Sequence, residues 1–406
     1  MKNRKAATIF IFITVLIDVI GIGVVIPVVP SLIQELVGGT ISDASKYALW
    51  LVLLYSSMQF LFSPIFGGLS DQYGRRKILL FTLFGFGIDS IFQALAPTIG
   101  WLFVGRTISG ITGASFSTAN AYMADISTPE KRAQNFGLIG AAFGLGFIIG
   151  PALGGILGEY GTRIPFFVSA GLSLSNWLYG YFVLPESLAV ENRRKFSFKR
   201  ANPIGSLLNL KKYPFILSLV ASLFLVYVAG FAPQATWSFY TLEKFGWSEM
   251  QVGLSLGFVG LMIAIVQGGL IRVIIPKIGN VKALFLGLGI NIVGLAAFSF
   301  ASSGWLMYAI MIPFALSGLA NPAFQGIISN QVKANEQGEL QGALTSVMAV
   351  ASIIGQTFML GLFRYFTDKT NPIYFPGAPF LAGSLLCIIS IVLIIPVLKK
   401  YTITES

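Results

Sequence analysis

Two carboxyl groups lie far inside apolar stretches of this sequence. Asp18 lies 12 residues beyond the start of an apolar run over 6–29, and Asp89 lies 11 residues beyond the start of a run over 78–97. In helices these distances are about 18 Å and about 16 Å, near the middle of a hydrocarbon core about 30 Å thick. A charge there is costly and normally faces a cavity or a partner. Both groups are predicted to load and release protons; the alternative is a carboxyl group hydrogen-bonded for structure alone.

One cation shares this depth. Arg106 lies about 10 Å into an apolar run over 99–122, by the same helical rise. A guanidinium group stays protonated in proteins, so it needs an acidic or carbonyl partner. Two interpretations stay open: a structural tie between helices, or a fixed charge that favours the ionised form of a carboxyl group when it is near.

The segment GGLSDQYGRRK (Gly67–Lys77) has the composition of a gate loop. Gly74 can adopt a left-handed turn. Asp71 and Arg75 are four residues apart, a spacing that allows salt bridges to open and close with a gate. A generic basic turn would explain the arginines but not the full spacing.

Glycines recur every four residues in GFIIGPALGGIL (Gly146–Leu157). The recurrence places Gly146, Gly150 and Gly154 on one helix face, and Pro151 removes a backbone hydrogen bond. A packing face of small residues and a gating hinge at Gly150 and Pro151 are equally good interpretations.

Several polar and aromatic side chains inside apolar runs are predicted to line a central cavity that binds substrate. Each has the alternative of a hydrogen bond between helices. They are Gln59, Asn120, Gln234, Trp237, Asn291 and Gln325.

The composition indicates an all-α membrane protein. Of 406 residues, 55% are hydrophobic and 11% are charged, whereas soluble domains average about 25% charged residues. Apolar stretches long enough to cross a bilayer recur along the chain. The sequence has no histidine and one cysteine, Cys387, so we expect no metal site, no cofactor and no enzymatic activity. The net charge of +11 lies in short loops, which argues against nucleic-acid binding.

Twelve spanning helices are predicted, with both termini in the cytoplasm. Of the 27 Lys and Arg residues, 21 then lie in inside segments and 5 in outside ones, as the positive-inside rule requires. The predicted spans are 6–29, 46–68, 78–97, 99–122, 135–158, 164–184, 213–237, 249–273, 281–302, 305–328, 340–363 and 376–398.

The two halves of the chain resemble each other at an offset of 205 residues. The offset aligns Gly74 with Gly279 and Asp125 with Asn330, and we include Asp125 among the predicted gating residues. Parallel halves of six helices are typical of the major facilitator fold, with a site between the halves near the bilayer midplane. The predicted domains are 1–184 and 213–406, joined by a basic cytoplasmic linker over 185–212.

These motifs resemble those of the drug:proton antiporter branch of the major facilitator superfamily, and most closely those of the tetracycline-exporter (TetA-like) group. GGLSDQYGRRK resembles the cytoplasmic signature of the superfamily, GRTISGITG the helix 4 signature, and GFIIGPALGG the antiporter motif of helix 5. The resemblance implies that Asp18 and Asp89 are essential carboxylates, Gln59 a substrate-site glutamine and Arg106 the helix 4 arginine.

Two positions depart from that group. It carries an acidic residue in helix 9 where Asn291 aligns, and a histidine in helix 8 where Ile263 aligns. Both belong to proton coupling or to recognition of a metal–drug complex there.

The expected function is therefore proton-coupled export of amphipathic small molecules or drugs by alternating access. The expected partners are a lipophilic substrate, protons and the lipid bilayer, and the expected location is the inner (plasma) membrane, as a monomer. A sugar or metabolite carrier and a lipid flippase of the same fold are the alternatives.

Overall fold

The apolar runs of the sequence form helices. The computed structural model of the protein describes residues 2–113, 115–126, 132–193, 195–196, 214–329 and 337–405, and helices are the only regular secondary structure in these ranges. They are α1 (Lys2–Val25), α2 (Val29–Val37), α3 (Ile41–Tyr73), α4 (Arg75–Ala94), α5 (Ile99–Thr112), α6 (Ser115–Ile126), α7 (Arg132–Gly158), α8 (Ile164–Val183), α9 (Pro214–Phe245), α10 (Glu249–Ile265), α11 (Ile271–Phe300), α12 (Gly304–Phe314), α13 (Ala320–Ser329), α14 (Gln337–Thr367) and α15 (Ala378–Glu405).

Local chemistry sets several helix ends. Gly74 separates α3 from α4 with φ of 101°, a left-handed conformation that glycine adopts without steric cost. Gly279 interrupts α11 with φ of 78°. The Ser303 hydroxyl oxygen accepts a hydrogen bond of 3.4 Å from the Leu306 amide and so caps α12, because the first amides of a helix have no partner within it.

Nine helices in the described ranges are long and apolar enough to cross a membrane, and Glu249–Ile265 is a shorter apolar helix. The all-α prediction is confirmed, and the count of twelve spans stays a prediction. Four predicted spans contain an interruption in the part of the chain that the structure describes. The span 99–122 divides between α5 and α6, 3-10 turns over Ile26–Val28 and Ala315–Leu319 lie within 6–29 and 305–328, and a π turn over Val266–Leu270 lies within 249–273. Pro313 precedes the turn over Ala315–Leu319, and proline removes a donor from the helical ladder.

The chain divides into two compact units. Unit 1 comprises Met1–Thr40, Trp50–Asn202 and Trp247–Gly260. Its core is built from one face of α1 packed with residues of α4, α6 and α7. The largest buried members of this core are Phe10, Ile11, Leu79 and Tyr122.

Unit 2 comprises Ile41–Leu49, Pro203–Gly246 and Leu261–Ser406. Its core joins α9, α11, α13, α14 and α15 and includes Leu219, Leu284, Phe324, Leu344 and Ile394. The Tyr240 hydroxyl group donates a hydrogen bond of 2.6 Å to the Phe298 carbonyl oxygen inside this unit, so the buried phenol is satisfied.

Each unit contains a short segment from the other half of the chain. The first residues of α3, Ile41–Leu49, belong to unit 2, and the first part of α10, within Trp247–Gly260, belongs to unit 1. The two segments begin 206 positions apart, close to the repeat offset. The division into 1–184 and 213–406 stays a prediction, and residues 197–212 of the proposed linker lie outside the described ranges.

The glycine face of α7 packs against α1. A Cβ on Gly150 would lie 2.8 Å from the Gly23 Cα, and one on Gly154 would overlap the Val24 carbonyl group. The adjoining face of α7 contacts the first part of α10, where a Cβ on Gly155 would lie 3.0 Å from the Gly253 Cα. The glycines of α7 therefore form a packing face of small residues against α1. A gating hinge at Gly150 and Pro151 stays a prediction.

Candidate functional site

Asp89 is fully buried in unit 1. The Gln93 side-chain amide, one turn later on α4, donates a hydrogen bond of 2.7 Å to its Oδ2 atom. The other oxygen, Oδ1, is buried and accepts no hydrogen bond of ordinary geometry from the described residues, although the Ser109 hydroxyl group of α5 also lies near this carboxyl group. Oδ1 faces Gly105 of α5, where a Cβ would lie 2.6 Å away. The structure thus gives the two oxygens of this carboxyl group different surroundings.

Three other helices bring polar groups to this region of unit 1. The Arg106 charge acts on the Asp89 carboxyl group across the α4–α5 contact. Tyr55 of α3 lies within electrostatic range of Asp18, Asp89 and Arg106, and Asp18 of α1 is 7% exposed. All three predicted proton-coupling residues therefore act electrostatically on Tyr55.

Gln59 joins the same group through Tyr55. Its side-chain amide donates hydrogen bonds of 3.2 Å to the Tyr55 hydroxyl oxygen and of 3.2 Å to the Gly113 carbonyl oxygen. Tyr55 was not predicted as a site residue, although it precedes Gln59 by four residues, a spacing visible in the sequence.

The other predicted substrate residues have separate surroundings. Asn120 lies on α6, and its side chain is outside the described part of the chain. In unit 2, Gln234 is exposed on α9, and Asn291 on α11 is 8% exposed. Trp237 is buried and packs edge-on against the Phe298 and Phe380 rings.

Gln325 of α13 hydrogen-bonds to the Tyr227 hydroxyl group. A common cavity that joins these unit 2 residues to those of unit 1 stays a prediction.

The predicted gate loop forms an ion-pair cluster in unit 1. The Arg75 guanidinium group lies 2.5 Å from an Asp71 carboxyl oxygen and 3.1 Å from the Asp125 Oδ2 atom. It also donates a hydrogen bond of 2.6 Å to the Ser70 hydroxyl oxygen. The structure thus brings together Asp71, Arg75 and Asp125, which are on three different helices.

Glu186 completes this cluster and was not predicted. Its Oε1 atom accepts hydrogen bonds from the backbone amides of Arg75 (2.8 Å), Ser187 (3.0 Å) and Leu188 (3.2 Å). A carboxylate at the first amides of α4 satisfies donors that have no helical partner. A Cβ on Gly74 would displace this flexible carboxylate, and the φ of 101° is strained for any residue other than glycine. The sequence signal was an acidic residue within a basic linker.

Comparison with known proteins identifies the family of this chain. The Major Facilitator Superfamily model matches residues 11–356. The chain belongs to the Major Facilitator Superfamily. Its all-α fold class is that of the superfamily, and it is a multi-pass membrane transporter.

Similarity extends over nearly the full chain for tetracycline resistance proteins. The class C protein of Escherichia coli is 35% identical over 389 residues, which is 96% of both chains. The class B protein of Escherichia coli is 34% identical over 353 residues, 86% of each chain. The predicted resemblance to the TetA-like group is therefore confirmed.

Solved structures show the same fold. The human organic anion transporter MFSD10 (TETRAN) is 22% identical, with a TM-score of 0.71 over 96% of this chain and 99% of that one. The nucleoside transporter NupG (a D323A mutant) is 11% identical, with a TM-score of 0.74 over 97% and 99% of the two chains.

Arg75→Ala is expected to slow transport without weakening substrate binding. The change removes the ion pairs to Asp71 and Asp125, so a gate that depends on them would close less often. We expect turnover to fall about tenfold, which corresponds to about 1.4 kcal/mol. Turnover in proteoliposomes and equilibrium binding of a fluorescent dye measure the two effects separately.

Lys77→Ala is the matched control for Arg75→Ala, because Lys77 is an exposed cation in the same loop. A large loss of equilibrium binding in Arg75→Ala with normal turnover would contradict the gating role.

Proposed function

We propose that the protein is a proton-coupled exporter of lipophilic small molecules that works by alternating access. The observation that carries this proposal is the buried Asp89 carboxyl group, on which the Arg106 charge acts, in a superfamily transporter. An ionisable group inside a membrane protein is costly to keep and marks a functional site.

The arrangement supports proton exchange at a carboxyl group. An ionised Asp89 and the Arg106 cation offset each other's charge. Protonation of Asp89 removes its negative charge and leaves Arg106 without that partner, which changes the balance between two packing states. A proton that binds in one state and leaves in the other drives the substrate in the opposite direction.

Gln59 and the amides predicted in unit 2 supply the substrate side of the proposal. A side-chain amide offers a donor and an acceptor but no charge, so it suits neutral or weakly charged ligands. The tetracycline resistance proteins that match most of the chain favour an exported drug over a sugar or metabolite. A lipid flippase remains the alternative that a test on lipids distinguishes.

The same proposal places the protein in the inner membrane as a monomer, with both termini in the cytoplasm. The distribution of Lys and Arg between predicted inside and outside segments supports this orientation. The Arg75 cluster then lies on the cytoplasmic side. Protease access to a C-terminal tag in right-side-out and inverted vesicles tests the orientation.

Proton-driven flux in proteoliposomes tests the function. The purified protein is reconstituted, an inward or outward pH gradient is imposed, and uptake is measured for lipophilic dyes, tetracycline, a sugar and a fluorescent phospholipid. Uphill movement of a dye or drug only with a pH gradient supports the proposal. Gradient-independent movement of lipid, or movement of the sugar alone, contradicts it.

Transport is expected to be independent of magnesium, with tetracycline a poor substrate. Asn291 is a buried neutral amide where TetA-like exporters carry an acid, and Ile263 replaces their histidine. A divalent metal–drug complex is cationic and favours an anionic site, which an amide does not provide. Uptake of lipophilic dyes and of tetracycline, with magnesium or with EDTA, measures this dependence.

Asn291→Asp is the matched variant for this test, because it restores a carboxyl group of nearly the same size. It is expected to shift the substrate preference toward cations. Robust magnesium-dependent tetracycline export by the unmodified protein would contradict the expectation.

A further inference from the structure

Gln93 is a buried amide beside Asp89 that has no role in the transport mechanism proposed above. It is 5% exposed, lies one turn from Asp89 on α4, and holds Oδ2 through a hydrogen bond of 2.7 Å. Because a buried amide without partners costs stability, a glutamine at this depth needs groups like the Asp89 carboxyl group beside it.

The bond to Gln93 makes the two oxygens of Asp89 chemically different. Oδ2 accepts a hydrogen bond of 2.7 Å from the amide, whereas Oδ1 is buried and accepts none of ordinary geometry from the described residues, with the Ser109 hydroxyl group nearby. Gly105 leaves space in front of Oδ1 that any larger residue would fill, because a Cβ there would lie 2.6 Å from the oxygen. Oδ1 is therefore the oxygen with room for a proton.

The amide bond is compatible with both protonation states of Asp89. When the carboxylate is ionised, its Oδ2 atom accepts the hydrogen bond from the Gln93 amide. When a proton binds Oδ1, Oδ2 becomes the carbonyl oxygen of the acid and still accepts the same bond. Gln93 therefore needs no rearrangement as the proton arrives or leaves.

A small cavity adjoins Gln93 and provides a link to Arg106. Its volume is about 10 Å³, the order of volume that one water molecule needs. Gln93 and Arg106 are the two polar residues of its lining, and a buried water needs two to four polar partners. The apolar lining is Val29, Leu32, Ile33, Leu51, Leu102 and Phe166.

We infer that Gln93 is the positioning residue of the proton site. It holds Asp89 by Oδ2 so that the transported proton binds Oδ1, and it connects the carboxyl group to Arg106 through one water molecule in the small cavity. The proton is taken from a hydronium ion, whose O–H bond breaks as the Oδ1–H bond forms, and a neutral water is left. Among the described residues, Arg106 is the charged group that acts on Asp89, and Tyr55 is the titratable group on which Asp18, Asp89 and Arg106 all act. This inference rests on the proposed function.

Infrared spectroscopy of the purified full-length protein tests the inference without a substrate. A protonated carboxyl group shows a carbonyl stretching band that carboxylates lack, and a hydrogen bond to its carbonyl oxygen lowers the frequency. Difference spectra between acid and alkaline pH should contain such a band that Asp89→Asn removes. In Gln93→Met, which keeps side-chain length and volume, this band is expected to shift to higher wavenumber.

Ser90→Ala is the matched control, because Ser90 is a buried polar neighbour on α4 whose hydroxyl group bonds to Phe86 and Ser169 and not to Asp89. It should leave the band in place. Gln93→Asn serves if Gln93→Met does not fold: the shorter amide keeps the chemistry but lies too far from Oδ2, so the same shift is expected.

The outcomes separate this inference from the proposed function. A band that Asp89→Asn removes but that neither Gln93 variant moves overturns the role of Gln93 and leaves proton binding at Asp89 intact. A band that Asp89→Asn does not remove overturns proton binding at Asp89, and the inference with it.

Discussion

Asp89→Asn is expected to abolish uphill, proton-driven export while leaving the fold intact. Asparagine has nearly the same shape, and its side-chain oxygen can still accept the Gln93 hydrogen bond, but it cannot release a proton. We expect gradient-driven flux to fall at least about 100-fold, or about 2.7 kcal/mol. Flux of a lipophilic dye in proteoliposomes with and without a pH gradient measures the effect.

Asp18→Asn is expected to give the same loss, because Asp18 is a second buried carboxyl group that acts electrostatically on Tyr55, as Asp89 does. Glu191→Gln is the control: Glu191 is an exposed carboxylate outside the predicted spans, and its removal should leave the flux unchanged. Dye exchange without a gradient should persist in all three variants if only proton coupling is lost. Undiminished uphill flux in either aspartate variant would contradict the assignment.

Gly154→Val is expected to prevent stable folding. Gly154 lies against the Val24 backbone, and even a Cβ there would overlap the Val24 carbonyl group. Overpacking a tight contact costs about 1–3 kcal/mol and sometimes more, and backbone atoms cannot move aside as a flexible side chain can. We expect a lower yield of monodisperse protein and a lower apparent melting temperature.

Gly144→Val is the matched control for Gly154→Val. It makes the same chemical change on the same helix, α7, but a Cβ at Gly144 meets no atom within 4 Å. Its melting temperature should stay close to that of the unmodified protein. Equal stability of the two variants would show that α7 does not depend on close contact with α1.

Contacts between residues close together in the chain could be predicted from the sequence. Asp71 and Arg75 were predicted to pair because they lie four residues apart in one short loop motif, and the ion pair forms at 2.5 Å across the break between α3 and α4. The spacing of Gly146, Gly150 and Gly154 predicted a shared face, and that face packs on α1. The ion pair depends on closeness along the chain and the glycine face on helical periodicity, and both are local properties.

Contacts between segments far apart in the chain could not be predicted from sequence spacing. Glu186 binds the backbone amide of Arg75, 111 residues earlier, and no spacing rule connects the two. Gln93 could have been noticed as the residue four positions after Asp89, but its importance depends on Gly105, which lies on another helix.

The sequence by itself determined that this chain is a helical membrane transporter with carboxyl groups at the depth of the bilayer midplane. Hydrocarbon requires long apolar helices whose backbone bonds are satisfied internally, and any charge within them is conspicuous. Only the tertiary structure decided which oxygen of Asp89 binds the Gln93 amide, which helix face each glycine serves, and which carboxylate holds the start of α4. Those outcomes depend on packing between segments far apart in the chain, where differences of an ångström decide whether a group is bonded or blocked.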